Sequence, residues 1–222
     1  DTKLSGLLDA DDVDRMLEAL AALGIGVRHT PGTRDFLVHG TGGVIPVRSA
    51  RLFLGNAGTA IRPLTATLAL AGGDYELSGV PRMHERPQAA LFKALRELGY
   101  RVDSANDKLP TVIQGVGWKP GTCRVSISES SQFASALLLS AKHGRWDIMV
   151  EGDDKEESPY VTMTERLVEV FPWSGGSLQI EPDASCGSYF WGAGWLADRC
   201  ESRAAIDSAV KSLGRALRPG EF

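Results

Sequence analysis

The chain has few cysteines and histidines, and neither type is clustered. Cys123, Cys186 and Cys200 are the three cysteines, and none forms a CxxC pair. That excludes a disulfide framework as the organising principle and points to a reducing compartment. The four histidines (His29, His39, His84 and His143) are dispersed without ligand spacing, so no metal and no metal-dependent chemistry is expected. No apolar run approaches the roughly 18 residues of a membrane span, and the chain opens on polar Asp1-Thr2-Lys3 rather than a signal peptide. A cytoplasmic protein without membrane contact is the expectation. Basic runs are missing too. With a net charge of −4 the chain lacks the basic stripe of a nucleic-acid binder. There is no Ser-His-Asp order, no HExxH and no Walker lysine.

What is present is ordinary globular material, 43% hydrophobic and 23% charged over 222 residues. That is enough for one large or two small domains and for burying roughly 70% of the unfolded chain's surface. Within it lies a repeat. The segments "TKLSG" (2–6), "YELSG" (75–79) and "IMVEG" (148–152) each read as a short strand closed by glycine, and Gly6, Gly79 and Gly152 are equally spaced. A helix follows each. Over 9–24, Val13, Met16, Leu17, Leu20 and Leu23 share a face, with Asp9 as cap and Gly24 as stop. Over 86–99, Leu91, Leu95 and Leu98 share a face, with Pro87 at the start and Gly99 at the stop. The third helix opens on Ser158 and Pro159. Two short strands follow each of the first two helices, "GVRHT" and "DFLVHG", then "YRVDS" and "PTVIQG"; the third unit offers "SLQIE" at 177–181.

Two of the units also have a front half. Strand "ARLFLG" and helix "GTAIRPLTATLALAG" precede Gly79; strand "CRVSIS" and helix "SSQFASALLLSAKHG" precede Gly152. A unit therefore reads βαβαββ. Nothing precedes Gly6, so the first unit lacks its opening strand and helix. "EPDASCGSYFWGAGWLAD" resembles the front half of a fourth unit, after which the pattern is lost. Either the ends are imperfect caps, or the chain is a piece of a longer one.

Three stretches place anion-friendly groups at helix N-termini, where unpaired N–H groups and the helix dipole favour negative charge. They are Asn56-Ala57-Gly58-Thr59, the segment Arg82–Pro87 with Arg86 at a helix entrance, and Ser130-Ser131-Gln132. Pro63 is expected in the first helical turn. Each stretch also has a plain reading: Arg86 as a surface residue paired with Glu85 or Glu97, Ser130 and Ser131 as caps, His84 as a polar side chain rather than a base. If the units surround a common axis, the three helix starts meet at one end of the domain and suit a phosphate or carboxylate ligand.

"LFLGNAGTAIRPLTA" resembles the phosphoenolpyruvate-side signature of the 5-enolpyruvylshikimate-3-phosphate synthase family. "PRMHERP" is similar to its second signature, with His84 where Lys or Arg is usual. "SSQFASALLLSA" and "SPYVTMT" resemble its shikimate-3-phosphate stretches, and "LLDADDVDRMLEALAALG" and "DASCGSYF" follow in the family's order. The resemblance covers residues 1 to about 190. It implies an α/β (α+β) fold of two lobes, each of three βαβαββ units, with the active site between them. Residues 1–182 would form one lobe, nearly complete apart from its first strand and helix, and 183–222 the start of the second lobe or a stub tail.

The resemblance also implies a site. Ser130, Ser131, Gln132 and Tyr160 would hold shikimate-3-phosphate, Gln132 also lying near the enolpyruvyl group. Asn56, Gly58 and Arg86 would face phosphoenolpyruvate, and Thr59 and Pro63 would shape that pocket, where glyphosate competes. Glu157 replaces a serine common in the family. No cofactor and no metal are implied. The family's "GSKS…R" motif would precede Asp1 and its acid/base Asp, Glu and Lys would follow Phe222, so no catalytic acid or base is expected within the chain. Two further readings stand beside this one: a lobe that binds a phosphorylated ligand without turnover, and the related UDP-N-acetylglucosamine enolpyruvyl transferase. The second needs a catalytic cysteine in a loop, a context Cys123 lacks. The helical pattern at 190–218 would fold into the gap left by the missing first helix, against residues 2–29.

Overall fold

In the computed structural model of the chain, residues 1–152 and 158–199 are described. They run β1 (Thr2–Ser5), α1 (Asp11–Ala22), β2 (Val27–His29), β3 (Phe36–Val38), β4 (Ser49–Phe53), α2 (Gly58–Ala69), β5 (Gly72–Ser78), α3 (Pro81–Glu85), α4 (Ala89–Glu97), β6 (Arg101–Ser104), β7 (Thr111–Val116), β8 (Gly121–Ser126), α5 (Gln132–Gly144), β9 (Trp146–Glu151), α6 (Ser158–Val170), β10 (Gly176–Gln179) and α7 (Ala184–Arg199). One compact unit covers residues 1–180 and a second begins at Glu181.

The helices form where the apolar spacing asks for them. Leu91, Leu95 and Leu98 of the α4 segment are buried. Gly24 and Gly99 take positive φ just past α1 and α4, the left-handed conformation that ends a helix without a Cβ penalty. Asp9 does not cap α1. The cap position is Ala10, and the Asp9 carboxylate pairs with Arg34 at 3.3 Å instead. Pro63 sits well inside α2 rather than in its first turn, because the helix already starts at Gly58; the Thr59 carbonyl thereby loses its usual i+4 donor.

The strands form three sheets. The second has the order β4-β5-β7-β6, the first β10-β1-β3-β2, and the third, among the described residues, only β8-β9. In each, two parallel strands start the set: β4 with β5, β10 with β1 and β8 with β9. One hydrogen bond recurs beyond each pair. Leu54 N–H donates to the Ser78 carbonyl at 2.9 Å, Ile127 N–H to Glu151 at 3.0 Å, and Ile180 N–H to Ser5 at 2.8 Å. So "SLQIE" does not belong to the third unit. Its backbone fills the opening-strand position of the first sheet, in register Thr2 to Gly176 through Ser5 to Gln179. Unsatisfied edge groups of β1 are the physical reason: a parallel neighbour on that side pairs what is otherwise left to solvent.

The core joins these layers. α2 is buried almost all round and packs on α1, α5 and sheet residues, while α5 packs in turn on α6. In the second unit α7 carries the exposed Tyr189, Phe190, Trp191, Trp195 and Leu196. Residues 200–222, which include Cys200 and most of the tail expected to fill the gap, lie outside the described residues, as does Glu157. No helix among the described residues is long and apolar enough to cross a membrane.

Candidate functional site

Arg62 joins two of the three singled-out stretches. It is the sole charged residue in "GTAIRPLTATLALAG" and only 2% exposed. Its Nη1 donates to Gln132 Oε1 at 2.5 Å and to Ser130 Oγ at 3.4 Å, and its Nη2 donates to the Pro87 carbonyl at 3.2 Å. The guanidinium carbon stands 4.8 Å from the Phe133 ring centroid, a favourable place for a desolvated cation. One side chain on α2 thus meets the entrance of α4 and the entrance of α5. Sequence reasoning gave Arg62 no role. A lone charge in an apolar helix was the available signal, since such a charge is seldom buried unless paired.

Arg86 caps the C-terminal end of α3, not the start of α4. Its Nη1 donates to the Asn56 carbonyl at 3.0 Å and approaches the Met83 sulfur at 3.6 Å. The guanidinium lies against Gly58, the first residue of α2. A fixed cation therefore stands at the positive end of a helix dipole, an arrangement that favours an anion between or beside them. Glu85, one of the expected partners of Arg86, pairs with Arg82 at 2.6 Å. Asn56 and Thr59 are exposed, and Gly58 is buried. The Thr59 hydroxyl donates to the Asp12 carboxylate of α1.

At the start of α5, Ser130 Oγ accepts the Gln132 N–H at 3.3 Å, an N-terminal cap in all but label. Ser131 is buried and Gln132 half-buried. Tyr160, on α6, is 55% exposed. Its helix is tied to α5 through Ser135 Oγ and Thr164 Oγ1, 2.7 Å apart, and Thr164 Oγ1 also donates to the Tyr160 carbonyl at 2.9 Å. His84 Nε2 accepts the Gly79 N–H at 3.2 Å. That bond engages the nitrogen a base would need and gives the imidazole a scaffold role.

Among the described residues, displaced titration falls on four side chains outside this set. The Lys3 ammonium beside Asp35 holds that carboxyl below its ordinary value. Burial raises the Tyr75 and Tyr100 hydroxyls. Burial, followed by Glu97 and Asp147, pushes the Cys123 thiol up to about 11. Among the described residues no group of three His, Cys, Asp or Glu side chains could hold a metal ion.

This chain is similar to known proteins along most of its length. The family model of EPSP synthase (3-phosphoshikimate 1-carboxyvinyltransferase) matches residues 1–174. The 3-phosphoshikimate 1-carboxyvinyltransferase of Laribacter hongkongensis is 45% identical over 88% of this chain and 51% of its own length. That of Cellvibrio japonicus is 36% identical over 100% of this chain and 59% of its own. The chain thus spans about half the length of the curated relatives it matches. EPSP synthase from Acinetobacter baumannii has the same fold over 86% of this chain and 46% of that one, with a TM-score of 0.68 at 21% identity. Matched over well beyond half of its residues by the family model, the chain belongs to the EPSP synthase (3-phosphoshikimate 1-carboxyvinyltransferase) family.

Proposed function

We propose that this chain carries one lobe's share of an enolpyruvyl transferase site, for transfer of the enolpyruvyl group of phosphoenolpyruvate to shikimate-3-phosphate with release of phosphate. Residues 1–182 are that lobe and 183–222 open the next. Ser130, Ser131, Gln132 and Tyr160 bind shikimate-3-phosphate. Asn56, Gly58 and Arg86 face phosphoenolpyruvate, in a pocket shaped by Thr59 and Pro63 and open to glyphosate. The observation that carries the reading is the Arg86 guanidinium set against Gly58 at the N-terminus of α2.

The chemistry explains the inventory. The substrate hydroxyl gives up its proton as its oxygen bonds to the central carbon of phosphoenolpyruvate, and a proton reaches the methylene carbon. A proton then leaves that carbon and the phosphate departs, restoring the double bond. Both reactants are anions, so a site must neutralise charge, hold the hydroxyl beside the alkene and move protons. Arg86 and the α2 amides serve the first need; Ser130 and Gln132 serve the second by hydrogen bonding. The proton-transfer groups are assigned to a part of the family's fold outside these residues. The reaction runs in the cytoplasm without a cofactor.

A second reading is a lobe that binds phospholigand without turnover. Mixing the chain with both substrates and measuring inorganic phosphate tests for turnover, and calorimetric titration tests for binding. Binding of shikimate-3-phosphate by calorimetry without phosphate release is the result expected of a half-site. Turnover above a heat-treated control removes the half-site reading, and no binding at all removes the substrate assignment.

A further inference from the structure

We infer that Arg62 is a positioning residue that fixes which end of the Gln132 amide faces the ligand. A guanidinium has only donors, so the group it meets must be an acceptor. Arg62 Nη1 at 2.5 Å therefore selects the carbonyl oxygen of Gln132 and turns the NH2 group away, as a donor. A free glutamine amide flips readily and offers either a donor or an acceptor. One locked by Arg62 offers an oxygen-rich anion two N–H bonds. The lock is itself rigid: Arg62 is buried, spans to the Pro87 carbonyl and the Ser130 hydroxyl, and lies over Phe133. Through Pro87 it also joins the loop of Arg86 to the start of α5. The identity of the ligand rests on the reading above; the orientation of the amide does not.

Two measurements on the full 222-residue chain test this. The first needs no ligand. The side-chain NH2 resonances of Gln132, assigned by their loss in Gln132→Ala, are expected to be displaced from random-coil positions. In Arg62→Met they collapse toward random coil. Unchanged Gln132 resonances in Arg62→Met overturn the inference. The second is titration with shikimate-3-phosphate. Arg62→Met and Gln132→Ala each weaken binding about tenfold, and the double variant is no weaker than either single one, as for two residues acting as one unit. Effects that multiply overturn the inference.

Gln132→Glu covers the case in which loss of Arg62 prevents folding. A carboxylate keeps the acceptor for Arg62 but has no N–H to offer. Thermal stability is expected to hold or rise while shikimate-3-phosphate binding falls about tenfold or more. Binding equal to that of the unmodified chain overturns the inference. If the unmodified chain binds no shikimate-3-phosphate, the substrate assignment falls while the Gln132 resonances still decide the role of Arg62.

Discussion

A Cβ built on Gly58 would lie 2.6 Å from Nη2 and 2.9 Å from Nη1 of Arg86. The two residues come from different signatures, yet the guanidinium occupies the space that any side chain at position 58 would need. Glycine here is a requirement of close approach rather than of φ.

Gly58→Ala is therefore expected to leave the fold intact, since the clash falls on the far end of a flexible side chain. It displaces the Arg86 guanidinium and weakens phosphoenolpyruvate binding about tenfold, by loss of a charge-assisted contact. Calorimetric titration of the chain and of Gly58→Ala checks this; equal affinity would sink it. In an Arg86→Ala background the same substitution should change little.

Gln88 is 1% exposed, and neither polar atom of its amide has a hydrogen-bond partner among the described residues. A buried unsatisfied amide costs on the order of 1–3 kcal/mol. Gln88→Met, close in volume and without that demand, should stabilise the chain by about 1 kcal/mol in urea unfolding. A clear loss of stability would show that the amide is satisfied in solution, by water for example.

Cys123 is buried, and its thiol is pushed from 9.0 up to about 11. With Cys186 and Cys200 changed to Ser, the native chain should not react with a thiol reagent at pH 8 but should do so fully once unfolded. The sign of the pH effect follows from linkage. The unfolded thiol ionises first, so its contribution to stability is complete below pH 9.0 and is lost as pH rises toward about 11. Tyr75 and Tyr100, raised above 10.0 by burial, act in the same sense. Urea midpoints should hold up to about pH 9 and fall from there to pH 11, less steeply in Cys123→Ala.

Gly115 on β7 passes under the end of α2. A Cβ there would lie 2.1 Å from the Ala71 carbonyl oxygen and 2.4 Å from that of Leu68. These are backbone atoms, so strand and helix must separate. Gly115→Ala should cost about 1–3 kcal/mol, the usual range for overpacking. An unfolding midpoint within error of the unmodified chain would mean that the α2–β7 approach is looser than described.

Much of the architecture was legible because its signals are local. Apolar residues three and four apart buried Leu91, Leu95 and Leu98 on one face of α4, and Gly24 and Gly99 marked two helix ends through their backbone freedom. Capping was read less well. Asp9 has the right side chain, but Arg34 competes for it, and Arg34 arrives from another part of the chain.

By itself, then, the sequence determined the βαβαββ period, the helix starts at Gly58 and Gln132 and the family signatures, all written within a few turns of chain. Tertiary structure decided the rest. Parallel pairing of β10 with β1 links residues 174 positions apart, by backbone hydrogen bonds that carry no side-chain pattern to read. Convergence on Arg62 likewise needs α2, α4 and α5 packed together before its donors can reach Gln132, Ser130 and Pro87. A lone arginine in an apolar helix announces that something must satisfy it; only packing names the partners.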